Sequence, residues 1–132
     1  MKVLDGLGPL FGRCLLGLIF IVAGWGKIMG YAGTAGYMAS KGMPLVPLLL
    51  PLTICLELGC GLMLVFGWHA RLAAFILFLF IIPTTLIFHN FWAAPPAQVQ
   101  NQMNNFLKNL AIMGGMLYVV VFGSGPISAT KP

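Results

Sequence analysis

Acidic residues are almost absent from this 132-residue chain: Asp5 and Glu57 stand against seven Lys and Arg, and only 7% of all residues are charged. A soluble domain wets its surface with about 25% charged residues. With 60% hydrophobic residues instead, this chain must turn most of its surface to lipid. No glycine-rich phosphate loop is present, which sets aside the usual nucleotide chemistry. The cations are scattered singly, so the basic footprint of a nucleic-acid binder is missing as well. Cys14, Cys55 and Cys60 lack the Cys-x-x-Cys spacing of zinc, cluster or redox sites and read as small packing residues. No metal centre is expected. His69 and His89 fall at opposite ends of one apolar segment, roughly 30 Å apart at 1.5 Å per residue, too far to hold one haem between them.

What is present is long apolar segments. Each bilayer crossing takes roughly 20 residues, so four crossings account for about 80 of the 132 and leave only short loops and tails. The pattern predicts an all-α, four-helix integral membrane bundle in one domain spanning 1–132, with helices over about 10–28, 46–67, 72–90 and 106–123. Residues before Pro9 read as a tail. The Gly-, Tyr- and Ser-rich stretch from Met29 to Pro47 reads as a loop with at most one interfacial helical turn. Pro83 should kink the third helix, because it cannot donate to the carbonyl of Leu79. The Gln/Asn-rich run before Phe106 reads as a cap for the fourth. An even number of crossings puts both termini on one side. Lys2, Arg13, Arg71 and Lys131 there, against Lys27, Lys41 and Lys108 opposite, favour cytoplasmic termini by four to three.

Polar groups inside the spans carry the functional signal. An ionisable residue at the bilayer centre costs on the order of 3 kcal/mol on insertion scales and is therefore paired, functional or both. Glu57 sits mid-helix with Thr53, Ile54, Cys60 and Gly61 around it, a mostly small face that suits close helix packing. In the first helix Arg13, Gly17, Phe20, Gly24 and Lys27 share a stripe, and Arg13 is the expected partner of Glu57. That pair either fixes helix register or supplies a proton-accepting carboxylate or a head-group anchor for a lipophilic ligand. A third reading has Arg13 reaching to lipid phosphates.

A second constellation gathers at the opposite, loop-rich side. Lys27, Thr85, His89, Asn90, Trp92, Lys108 and Asn109 form a polar, aromatic rim. His89 reads either as an interfacial histidine bonded to water or lipid, or as a proton-transfer group beside a quinone ring. Lys108 is a topology anchor or a rim contact, and Asn109, deeper in the membrane, needs a partner inside the bundle. Arg13, Glu57, His89, Lys108 and Asn109 are the ligand-binding candidates, with Glu57 and His89 the candidates for chemistry.

These residues sit in blocks that resemble the DoxX family of small four-helix bacterial inner-membrane proteins, nearest its YqjF-like branch. The blocks are Arg13, the run from Phe20 to Ile28, Gly30-Tyr31-Ala32-Gly33-Thr34, Gly42-Met43-Pro44, Leu56 to Gly61, Phe88-His89-Asn90, and Phe106 to Leu110. The chain departs from the family at Cys60, where glycine is more usual, and in the tail after Ser128. The resemblance implies a membrane subunit of an oxidoreductase, since the family's name-giving members look like subunits of a quinone-reducing thiosulfate oxidoreductase. Quinone is thus the implied ligand, and oxidoreductase subunits are the implied partners alongside the lipid bilayer. Two other functions fit the residues: a small proton-coupled transporter or channel built as a homo-oligomer around Glu57, and a structural or assembly protein without catalysis.

Overall fold

A computed structural model of the protein describes the backbone of residues 2–130 and the side chains of 3–130. The side chains of Lys2 and Lys131, half of the cations counted toward the terminal side, lie outside that range. Among the described residues five α-helices follow one another: α1 (Lys2–Met29), α2 (Tyr31–Ser40), α3 (Val46–Phe66), α4 (Ala70–Phe88) and α5 (Val99–Phe122). Short 3-10 turns at Phe91–Ala93 and Pro96–Gln98 join the last two. The segments carrying α1, α3, α4 and α5 are each long and apolar enough to cross a membrane. The all-α four-helix membrane bundle expected from hydropathy is therefore the observed architecture.

Three boundaries differ from the sequence reading. The first helix begins at Lys2 rather than near residue 10 and runs through Pro9. The proline removes a single bond, to the carbonyl of Asp5, in an exposed end turn where water can replace it, and Asp5 itself favours the positive helix start. The Met29–Pro47 stretch holds a ten-residue helix, α2, rather than one turn. Gly33 and Gly36 lower its intrinsic propensity, but Met38 packs into a small core with Leu50 and Ile54 of α3 and holds it in place. Finally, α5 starts at Val99, seven residues early. The amide-rich run joins the helix because Gln100 Nε2 donates to Asn104 Oδ1 one turn on, at 3.0 Å.

The main core lies among α1, α3, α4 and α5, around Phe20, Leu64, Leu77, Ile81 and Met116. Helices α1 and α3 approach most closely. A Cβ on Gly17 would stand 2.7 Å from the carbonyl oxygen of Gly61, and one on Gly24 would stand 2.7 Å from Leu58 Cγ. Only glycine permits that spacing, which in lipid replaces hydrophobic collapse as the source of packing energy. Large apolar side chains such as Phe11, Leu15, Val22, Leu79 and Tyr118 cover the outside, as a lipid-facing surface requires. Helix α4 continues through Pro83, and Thr84 Oγ1 donates to the carbonyl of Phe80 at 2.9 Å beside it.

Candidate functional site

The glycine contacts fix the register of the two polar helices. With Gly17 level with Gly61, Glu57 stands about 6 Å above that level, Arg13 about 6 Å below it and Lys27 about 15 Å above it, at 1.5 Å per residue. Side chains lean toward the start of their own helix. Because α1 and α3 run in opposite directions, Lys27 leans inward and Glu57 leans up to meet it, while Arg13 leans away. Lys27 Nζ lies 2.7 Å from Glu57 Oε1. At that distance the two groups form a charge-assisted ion pair. The expected partner, Arg13, is thus replaced by Lys27.

Arg13 instead holds the far end of α3. That helix closes on Gly67 in the left-handed conformation, with Gly67 N–H donating to Leu64 and Trp68 N–H to Met63, a Schellman ending. Arg13 Nη1 donates to the carbonyls of Leu64 at 2.8 Å and Val65 at 3.2 Å, and Nη2 donates to that of Ile127. The cation therefore sits at the negative end of the α3 dipole and ties down the tail. A side chain at Gly67 would have its Cβ 2.5 Å from Arg13 Nη1, so the turn also leaves room for the guanidinium. Thr130 completes the join, accepting from His69 N–H at 2.8 Å and donating to the carbonyl of Gly67 at 3.1 Å.

Above the ion pair lies a groove of about 760 Å³. Lys27 and Glu57 form part of its wall, α2 covers it with Thr34 and Tyr37, and α4 contributes Thr84 and Phe88, with His89 capping that helix. Tyr37 stacks on Phe88 with ring centroids 5.4 Å apart, joining α2 to the end of α4. Leu52, also in the wall, is 57% exposed within a spanning helix, so the groove opens toward hydrocarbon. Its lining is mostly apolar, and among the described residues Lys27 and Glu57 are the only Lys, Arg, Asp or Glu in it. That suits a lipophilic molecule with a small polar head: the ammonium donates to a carbonyl, the carboxylate accepts from a hydroxyl, and three threonines with His89 offer further polar atoms.

The five candidates separate. Glu57 and His89 share the groove. His89 Nδ1 lies 2.9 Å from Gln102 Oε1, an amide that fixes the ring from α5. Asn109 turns into the bundle and donates to Thr85 Oγ1 at 3.0 Å, behind the groove rather than in its wall. Lys108 is exposed and donates to Asn105 Oδ1 at 3.3 Å, and Arg13 lies at the other end of the molecule. Sequence reasoning missed Tyr37, Thr34 and Gln102, which reach the site from segments read as loop. It placed Lys27 on the rim, although the inward lean of a residue at the end of α1 was a signal for its pairing.

A family model described as DoxX matches residues 8–90. The chain is 43% identical to the inner membrane protein YqjF of Escherichia coli, over 99% of this chain and 95% of that protein. It is 34% identical to the inner membrane protein YphA of the same organism, over 92% and 87%. No solved structure matches.

Proposed function

The chain belongs to the DoxX family, and proceeding from that membership we propose that it is the quinone-facing or accessory subunit of an inner-membrane oxidoreductase. It is a multi-pass protein of the bacterial inner membrane, with four apolar spans and relatives named for that location. The observation that carries the proposal is the groove: a lipid-facing recess of about 760 Å³ with the Lys27–Glu57 pair in its wall, the carboxylate buried and the lysine partly exposed. Its size falls within the range of small-molecule sites.

The residues present fit a quinone. Lys27 would donate to a ring carbonyl, Glu57 would accept from a ring hydroxyl, and His89 at the water side would exchange protons with the loops. A bound quinone would supply the electron-carrying chemistry, and a partner subunit would supply the electrons. Below Glu57 the bundle is filled by fully buried Leu64, Leu77 and Met116. That apolar plug favours a one-sided ligand site over passage through the membrane.

The test is gentle extraction in native lipid followed by mass spectrometry of everything bound. Quinone at near-stoichiometric level, reduced in Lys27→Met, or a co-purifying oxidoreductase subunit supports the proposal. A protein carrying phospholipid alone in wild type and variant overturns it.

A further inference from the structure

The groove holds one cation and one anion in contact, and that pairing has a consequence for which molecules can enter. A lone lysine facing a lipid-accessible groove would capture anionic amphiphiles, which surround it in any bacterial membrane. Phosphate and carboxylate heads are the natural ligands of an ammonium in low dielectric. Here Glu57 Oε1 stands 2.7 Å from Lys27 Nζ, so the wall is neutral as a whole. An anionic head brought to Lys27 also meets the carboxylate directly behind it. Repulsion then offsets much of the attraction, while the loss of water around the head is left largely uncompensated. A cationic head faces the same balance with signs reversed.

An uncharged head is treated differently. The ammonium has three protons and spends one direction on Glu57, so it can still donate to a carbonyl or hydroxyl oxygen. The carboxylate has lone pairs beyond the one that faces Lys27, so a hydroxyl can donate to Glu57 with the pair intact. Lys27 keeps 27% of its side chain exposed against 6% for Glu57, which makes the lysine the first group a ligand meets and the glutamate the group that sets its charge behind it. The other titratable groups on the groove are His89, held by Gln102 at the rim, and the phenol of Tyr37. Asp5, the remaining acid of the chain, lies in the first turn of α1, at the far end of the molecule.

We infer that Glu57 is the specificity residue of the groove: paired with Lys27, it restricts the site to lipophiles with uncharged, hydrogen-bonding heads and bars anionic amphiphiles. The inference rests on the groove being a ligand site, as proposed above, but does not require that ligand to be a quinone.

Three probes of equal chain length test it: dodecanol, dodecanoate and dodecylammonium, offered to the full-length protein in one uncharged detergent at about pH 8, where an ordinary imidazole is neutral. Binding is read by native mass spectrometry at equal micellar mole fraction of each probe, so partition into micelles drops out of comparisons between probes as well as between variants. Wild type is expected to take dodecanol at least about tenfold better than either charged probe, the scale of one uncompensated charge at a partly buried site. Glu57→Gln is expected to gain dodecanoate by about tenfold, and Lys27→Gln to gain dodecylammonium by a similar factor. Equal binding of dodecanol and dodecanoate by wild type overturns the inference and leaves the ligand site standing. A folded Glu57→Gln that gains no dodecanoate also overturns it. If Glu57→Gln does not fold, wild type and Lys27→Gln decide. Failure of every probe on wild type and variants alike removes the ligand site itself, and the inference with it.

Discussion

Lys27 and Glu57 lean toward each other along antiparallel helices, and their charged atoms meet at 2.7 Å in the wall of a lipid-facing groove. Each comes from a different region of its helix: Lys27 stands two residues from the end of α1, whereas Glu57 is near the middle of α3. The meeting therefore draws a cation inward from the membrane edge and satisfies a carboxylate that has no other ion-pair partner among the described residues.

Removing the lysine alone should be expensive. Lys27→Met leaves Glu57 buried and unpaired, with an expected loss of about 2 kcal/mol, below the full cost of breaking a buried pair because the lysine is partly exposed. Lys27→Met combined with Glu57→Gln should recover most of it. Unfolding in mixed micelles checks this, and additive losses in the double variant would contradict the pairing.

Arg13 should be energetically independent of Glu57. Arg13→Met releases the carbonyls of Leu64, Val65 and Ile127, so amide exchange and protease cleavage around residues 127–130 should rise sharply. The double variant Arg13→Met with Glu57→Gln should lose the sum of the two single effects within about 0.5 kcal/mol. Coupling well above that would restore the Arg13–Glu57 pair read from the sequence.

Glycines on the two faces of α1 should respond oppositely. Gly17→Ala puts a methyl 2.7 Å from the backbone oxygen of Gly61 and should destabilise the fold by about 2 kcal/mol. Gly12→Ala has open space around it and should be nearly silent. Thermal inactivation of the two proteins in the same detergent separates them. Equal melting would mean that α1 and α3 do not pack through Gly17.

A smaller effect is expected inside the α4–α5 seam. Asn109→Leu loses the bond to Thr85 Oγ1 and leaves a buried hydroxyl to its own helix, at a cost of about 1 kcal/mol, the usual scale for an interhelical hydrogen bond in lipid. Thr85→Val in the same background should restore part of that loss. Stability curves of the two variants make the comparison.

The spans were legible because hydropathy is a sum over many residues, and no single misreading can erase a segment such as Val46–Phe66. The face of Glu57 was legible too, since small neighbours at helical spacing mark a packing surface. Its partner was not. Choosing between Arg13 and Lys27 depends on register between two helices, set by Gly17 against Gly61, and a hydropathy pattern carries no register. Helix α2 escaped notice for a related reason: its glycines argue against a helix locally, and the contact of Met38 with Leu50 and Ile54 that overrides them is tertiary. The same gap hid Tyr37 and Thr34 from the candidate site.

The clamp at Arg13 imposes a schedule on biosynthesis. Its acceptors are Leu64, 51 residues later in the chain, and Ile127, 114 residues later. At translation rates of 5–20 residues per second, the guanidinium enters the translocon roughly ten seconds before its last carbonyl exists. Until then only the carbonyls of Leu64 and Val65 are available to it, so the clamp is completed after all four spans have been made.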